Sequence, residues 1–304
     1  MSVEVPANLE QARARWRTAV AGVLAKSARR DPAELGLEAG GEPERLLDTP
    51  AEGPHGFAIR ALYTAFDALP ERPLPGQWPY VRGADALRDV NIGWKVAEVF
   101  PANGANGQVS VAETNGAMLL ALTEGVSAVS LRVGPGGVSP TDVDRVFEGI
   151  FLELVPVIVN AGAEFTAVAD AVLALIEEVD RAKRRTLSVD LGADPLTALL
   201  SGRPAPPVDE VTAVASRVAG HGGVRTITVD GPAFHNLGAT ASWELAGSLA
   251  AAVAYLRLLG ESGLSVAEAL QQMSFRLAAD DDQFMTIAKI RAARQLWARV
   301  AEVA

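Results

Sequence analysis

The sequence has no cysteine and little histidine, which removes several kinds of chemistry at the outset. Its 304 residues include no Cys and 3 His, so disulfides, thiolate metal sites and cysteine nucleophiles are excluded. Basic side chains are in the minority, with 27 Lys and Arg against 37 Asp and Glu and a net charge of -10. That balance argues against a nucleic-acid backbone as the partner. His55 and His221 lie in glycine-rich stretches without metal-ligand spacing.

The chain also lacks a long apolar run and a phosphate-binding loop. The longest uncharged apolar run, Leu245 to Leu256, is too short to span a bilayer, and the N-terminus has no apolar signal core. We therefore expect a cytoplasmic protein. The stretch PANGANGQVS, residues 101–110, carries glycines but neither the dinucleotide-binding fingerprint nor a P-loop lysine.

Apolar residues recur at helical spacing over residues 8–26, where Trp16, Val20 and Leu24 fall on one stripe. Such a stripe must be buried, either on the chain's own domain or on a partner. Residues 27–54 are rich in Gly, Pro and charge, which indicates a linker. We therefore divide the chain into an N-terminal arm and linker, residues 1–54, and an α/β domain, residues 55–304.

From Trp94 onward the pattern alternates regularly between strand and helix, which favours an α/β fold with a mainly parallel sheet. Six strands fit either a doubly wound sheet or an incomplete (βα)8 TIM-type barrel in which only the first six βα units are present. The barrel is slightly favoured. The strands are predicted near Lys95–Phe100, Ser127–Val133, Val155–Asn160, Thr186–Asp190, Thr226–Asp230 and Ser274–Leu277.

Helix signals occur between and after these strands. Ser139 is placed to cap a helix with Pro140 at its first position, and Ser265 with Glu268 forms a capping-box pattern. The last helix is predicted over Gln283–Val303, with Lys289, Arg291, Arg294 and Arg299 mostly solvated. Its buried face is predicted to contain Phe284, Ile287, Ile290, Leu296, Trp297 and Val300.

Few side chains are placed for catalysis. Asp190 with Asp194, and Asp230 with His235, follow predicted strands, so a free-standing α/β-barrel enzyme with a site near Asp190, Asp230 and His235 is one alternative. Three consecutive acids, residues 280–282, could hold a hard cation, but acids at a helix start also complement the helix dipole. We favour a solvated helix start over a metal site.

Four segments resemble the N-terminal half of the methylmalonyl-CoA mutase family. They are LYTAFD, LPGQWPYVRG, FHNLGATASWELA and DDQFMTIAKIRAARQLWARV, beginning at residues 62, 74, 234 and 281. The resemblance implies a barrel that binds acyl-CoA and a separate cobalamin domain. Some bacterial members are heterodimers of a catalytic large subunit and a degenerate small one.

The residues at the family's active-site positions depart from its catalytic pattern. Asp85 stands in place of a tyrosine, Ile92 and Ala97 in place of two arginines, and Val99 in place of the active-site tyrosine. Each lost charge-assisted hydrogen bond to a phosphate costs about 1.5 to 3 kcal/mol. We therefore expect no CoA binding in the family's usual mode.

A second family motif departs in the same way. The family's tyrosine and its substrate-contacting histidine fall on Pro232 and Ala233, so neither donor is available. His235 is two residues away, and that shift re-aims its side chain, so we interpret it as a structural histidine.

The resemblance therefore implies the small subunit of an isomerase that interconverts methylmalonyl-CoA and succinyl-CoA. We expect no catalytic, cofactor-binding or metal-binding residue in this chain, which lacks the cobalamin signature DxHxxG. Adenosylcobalamin is expected in the large subunit, the heterodimer partner, which this chain would stabilise. Trp16, Val20 and Leu24 are the predicted partner interface, and we expect the sequence to be a fragment of a longer small subunit.

Overall fold

The structure of the chain is a computed structural model. It describes residues 8–29, 31, 42–51, 53, 56–89, 91, 93–102 and 109–304. Residue contacts divide the chain into two compact units, Met1–Leu74 and Pro75–Ala304. The sequence-based division lay between residues 54 and 55, and a domain over 55–304 stays a prediction.

The described residues of the first unit include an α-helix and a short antiparallel ribbon. Helix α1 (Leu9–Ala28) covers the predicted amphipathic arm, and β1 (Thr49–Ala51) pairs with β2 (Phe57–Ile59). Trp16, Val20 and Leu24 are half-buried, so their shared stripe is partly covered in the chain itself.

The second unit is built on a six-stranded sheet whose strands are all parallel. They are β3 (Ala97–Phe100), β4 (Ala128–Arg132), β5 (Val157–Asn160), β6 (Val189–Ala193), β7 (Val224–Asp230) and β8 (Met273–Arg276). Their order in the sheet is their order in the chain. In a doubly wound sheet the order in which strands are added reverses at a switch point, whereas in a barrel each strand is added beside the preceding one. The architecture is therefore part of a TIM-type barrel, and over the described residues it does not close.

Strand β6 differs from its predicted span of Thr186–Asp190. Residues Arg184–Thr186 form a 3-10 turn instead, and the strand continues to Ala193 through a bulge. Gly192 makes the bulge possible, because its φ is 74° and a Cβ there would lie 1.8 Å from the carbonyl oxygen of Val159. The bulge shifts the end of the strand relative to its neighbours.

Helices follow the strands and cover the sheet. They are α2 (Val111–Thr123), α3 (Val143–Val146), α4 (Phe165–Glu178), α5 (Val208–Val218), α6 (Gly231–His235), α7 (Ala241–Glu261), α8 (Val266–Gln271) and α9 (Gln283–Val303). Ser139 caps a 3-10 turn ahead of α3, and the capping box of Ser265 with Glu268 forms at α8 as predicted. The core lies between the sheet and these helices, with Phe165, Ile176 and Tyr255 among its fully buried side chains.

Helix α9 has the predicted bounds, but its predicted burial was wrong at several positions. Phe284 is 83% exposed, and Ile287, Ile290 and Leu296 are also exposed. Trp297 is half-buried and packs edge-on against the ring of Phe275, with the ring centroids 4.9 Å apart. The helix packs against α7, and the exposure of these side chains shows that part of its apolar face is uncovered in the described part of the chain.

Candidate functional site

The carboxyl ends of the parallel strands surround a cavity of about 510 Å³. Parallel strands place chemistry at this edge in barrel folds, because the loops that follow them converge there. The residues that line the cavity at the strand ends are mostly polar or charged, and those that line it from the loops include several prolines. They include Arg132, Asn160, Glu164, Asp194, Arg203, Pro204, Asp230, Pro232, Asn236 and Arg276.

Asp194 is the most completely bonded carboxylate of the cavity. It directly follows β6, and its side chain is 3% exposed. Its Oδ1 accepts bonds from the Thr197 backbone N–H at 3.0 Å and from the Tyr255 hydroxyl at 2.7 Å, while Oδ2 accepts one from Thr197 Oγ1 at 2.5 Å. Burial raises the pKa of the Tyr255 hydroxyl, and the negative charge of Asp194 raises it further. The phenol therefore stays neutral and donates its hydrogen bond to Asp194. Asp194 therefore serves as a structural anchor for the loop after β6.

Arg203 bridges two buried carboxylates at neighbouring strand ends. Its Nη2 lies 3.2 Å from Asp194 Oδ2 and 2.6 Å from Asp230 Oδ2. Asp230 is the last residue of β7, and its Oδ1 faces Arg276 Nη1 at 3.6 Å. Asp194 and Asp230 would repel each other without the guanidinium, so Arg203 stabilises this wall of the cavity. Because it is already paired with two carboxylates, Arg203 is not free to bind a phosphate.

The alternative site at Asp190, Asp230 and His235 is not assembled. Asp190 pairs in register with Arg225 and forms an ion pair with its side chain. Arg225 lies five residues before Asp230 on the same strand, which is roughly 16 Å of strand. His235 faces Glu244, with Nδ1 4.0 Å from Oε2, and neither His235 nor Asp190 lines the cavity. The three residues that sequence reasoning grouped therefore lie in three different surroundings.

A second buried ion pair joins α7 to α9. Lys289 Nζ lies 2.6 Å from Glu244 Oε2, with side chains 2% and 0% exposed. Glu244 Oε1 also accepts the Ala278 backbone N–H at 2.7 Å. The prediction that Lys289 is solvated was therefore wrong, because Glu244 on the neighbouring helix pairs with its buried ammonium.

The other titratable candidates have structural partners. Asp280 accepts a bond from Thr286 Oγ1 at 3.1 Å, and Asp282 caps α9 through the Met285 N–H at 2.9 Å. Within the described ranges no cluster of three or more acids or histidines could hold a metal ion. His221 Nε2 lies 3.5 Å from an oxygen of Glu177. His55 is outside the described residues.

The family's substrate-contact positions that are described offer no side-chain donor to the cavity. Val99 of β3 lines it with an apolar side chain, as do Pro232 and Ala233 at the start of α6. Asp85 is exposed and caps the Leu87 N–H at 2.8 Å. Ala97 lies exposed on β3, and Ile92 is outside the described residues.

Sequence reasoning missed the arginines that line this cavity. Arg132 and Arg276 end β4 and β8, so their positions at strand ends were a usable signal. Arg203 gave no such signal, because it comes from the loop GRPAPP after β6 and meets Asp230 only through the fold.

The fold and the cavity at its strand ends define a protein of the TIM-type barrel class. Residues 52–304 match the family model of methylmalonyl-CoA mutase, and the chain belongs to this family. It is 65% identical to the "Probable methylmalonyl-CoA mutase small subunit" of Mycobacterium bovis, over 100% of this chain and 48% of the relative.

More distant relatives extend the comparison. The methylmalonyl-CoA mutase small subunit of Streptomyces virginiae is 40% identical over 95% of this chain and 44% of its own length. The large subunit from the same organism is 27% identical over 94% of this chain and 40% of its own length. The chain thus spans about half the length of the curated relatives it matches. Among the described residues, no helix is both long and apolar enough to cross a membrane.

Proposed function

We propose that the chain belongs to the small subunit of adenosylcobalamin-dependent methylmalonyl-CoA mutase and that this subunit is non-catalytic. In this role it stabilises the large subunit, which carries out the isomerisation of methylmalonyl-CoA and succinyl-CoA in the cytoplasm. The names of the small-subunit relatives support the assignment, since two of them cover at least 95% of this chain at 40% identity or more.

The single observation that carries the non-catalytic role is the chemistry of the strand ends. A transition state that develops charge on oxygen needs preorganised donors aimed at that oxygen. Here Val99, Pro232 and Ala233, which stand where the family has two tyrosines and a histidine, present hydrocarbon to the cavity. Arg203 is held by two carboxylates of its own chain. These surroundings favour a barrel that keeps the family's fold without its chemistry.

The described residues also do not fit a cobalamin site. A cobalt ligand from the protein requires an imidazole facing the corrin, yet His221 pairs with Glu177 and His235 with Glu244. Neither histidine lines the strand-end cavity. Adenosylcobalamin would therefore bind to the large subunit, and no residue of this chain would take part in the reaction.

The partner interface is proposed to include Trp16, Val20 and Leu24. These side chains share one face of α1 and remain half-buried in the chain alone, so further apolar area is available to a partner. Val23, one position from Leu24, is 67% exposed. A large aromatic side chain such as Trp16 on such a stripe is typical of interface anchors.

Purification of the affinity-tagged chain from its own cells tests the proposed function. A methylmalonyl-CoA mutase large subunit should co-purify in equimolar amount and remain bound through size-exclusion chromatography. The matched control is the same tag on a chain with Trp16, Val20 and Leu24 changed to Ala, which should recover less of the large subunit. Recovery of the unaltered chain alone, folded and without a large subunit, would contradict the proposal.

A further inference from the structure

The strand-end cavity contains one buried acceptor that no donor of the described residues reaches within hydrogen-bond distance. The Asp230 side chain is 8% exposed, and its Oδ2 is bonded to Arg203 at 2.6 Å. Its Oδ1 is buried and has no hydrogen-bond partner in the described part of the chain. The cation beside it, Arg276 Nη1, is 3.6 Å away, beyond hydrogen-bond distance. A buried carboxylate oxygen in this state is costly unless a donor completes it.

The neighbouring guanidinium groups are available to a ligand. Arg276 is 47% exposed and has no hydrogen bond to the described residues beyond that long approach to Asp230. Arg132 lines the same cavity, and its one bond in the described chain is a 3.4 Å contact with the Pro101 carbonyl oxygen. Both arginines can therefore turn N–H groups toward a bound anion.

The charged groups that line the cavity balance in number but differ in their partners. Three guanidinium groups, Arg132, Arg203 and Arg276, line it together with three carboxylates, Glu164, Asp194 and Asp230. Asp194 and Asp230 are buried, whereas Glu164 is exposed to solvent. Arg203 is bonded to both buried carboxylates, so Arg132 and Arg276 are the cations that a bound carboxylate can engage.

The donors and acceptors select the chemical class of the ligand. A ligand carboxylate beside Asp230 Oδ1 would be repelled by this carboxylate, and a ligand ammonium there would be repelled by the guanidinium of Arg276. A hydroxyl can donate to Oδ1, and a carboxylate on the adjacent carbon can accept from the planar fork of Arg276. The cavity, about 510 Å³, lies within the usual range of about 300 to 1,000 Å³ for small-molecule sites.

We propose that this cavity binds a small 2-hydroxy acid, with Asp230 Oδ1 accepting from the hydroxyl and Arg276 binding the carboxylate. Arg132 supplies a second cation in the same cavity. Arg203 is the positioning residue, because its bridge to Asp194 and Asp230 fixes the acceptor in place. The site requires no CoA group and is independent of the subunit role proposed above.

Calorimetric titration of the chain with lactate and with propionate tests this site. The two acids share a carbon skeleton and differ in the hydroxyl, so lactate should bind about tenfold or more tightly. Arg276→Gln should weaken lactate binding by about tenfold or more. Arg217→Gln is the matched control, because Arg217 forms an exposed pair with Asp170, and its lactate affinity should equal that of the unaltered chain.

Asp230→Asn, where circular dichroism shows that it folds, should abolish the preference for lactate over propionate. If that variant does not fold, the test rests on Arg276→Gln, whose half-exposed side chain can be changed with little cost to the core. Equal affinities for the two acids, no binding of lactate, or an Arg276→Gln chain that binds lactate as the unaltered chain does would each overturn the proposal.

Discussion

Replacing Lys289 with methionine should strongly destabilise the chain. The ammonium is 2.6 Å from Glu244 Oε2, and the two side chains are 2% and 0% exposed. The substitution leaves a carboxylate buried without its cation, and removing one partner of such a pair costs about 3 to 5 kcal/mol. The methionine fills much of the lysine's volume, so a cavity contributes little to the loss.

Equilibrium urea denaturation measures this cost, with two further variants as comparisons. In Glu244→Gln with Lys289→Met no charge is buried, and the amide oxygen can still accept the Ala278 N–H, so we expect about half the loss or less. Arg291→Met removes an exposed cation from the same helix and should change the free energy of unfolding by less than about 0.5 kcal/mol. A Lys289→Met loss no larger than that of Arg291→Met would refute the reasoning.

Four further predictions concern Tyr255, Trp16 and the strand-end cavity. Tyr255→Phe removes the donor to Asp194 and should cost about 1 to 3 kcal/mol in thermal unfolding. Since folding raises the pKa of Tyr255, the unaltered chain should also lose stability above the ordinary tyrosine pKa, and Tyr255→Phe should lose less there. Trp16→Ala should weaken large-subunit binding by about 2 kcal/mol in sedimentation while the isolated chain stays folded; unchanged affinity with lost stability would make the stripe intramolecular. Calorimetry with CoA should detect no micromolar binding at the strand ends, because Asp85, Ile92 and Ala97 stand where the family has a tyrosine and two arginines.

The regular parts of the fold were predictable because they depend on local patterns. The alternation of strands with helices, the capping box of Ser265 with Glu268 and the bounds of α9 follow from periodicity and helix-end chemistry. The order of the strands, which separates a barrel from a doubly wound sheet, came from the structure. The predicted span of β6 was wrong because a bulge at Gly192 extends the strand past the residues with strand propensity.

Burial and pairing were harder to predict because they depend on contacts between distant parts of the chain. Lys289 has the sequence surroundings of a solvated lysine, and the Glu244 that draws it inward belongs to a different helix. Asp190 and Asp230 both follow the pattern of strand-end acids, yet the register of β6 against β7 sends Asp190 to Arg225. Arg203 reaches Asp230 across a loop whose path no local signal fixes.

The number of acyl-CoA sites in the native complex tests the central proposal most directly. The complex of this chain with the large subunit would be titrated calorimetrically with a non-reactive acyl-CoA analogue. A barrel with Val99, Pro232 and Ala233 at its strand ends should contribute no site, so we expect one mole of analogue bound per mole of heterodimer. Two moles bound per heterodimer would contradict it.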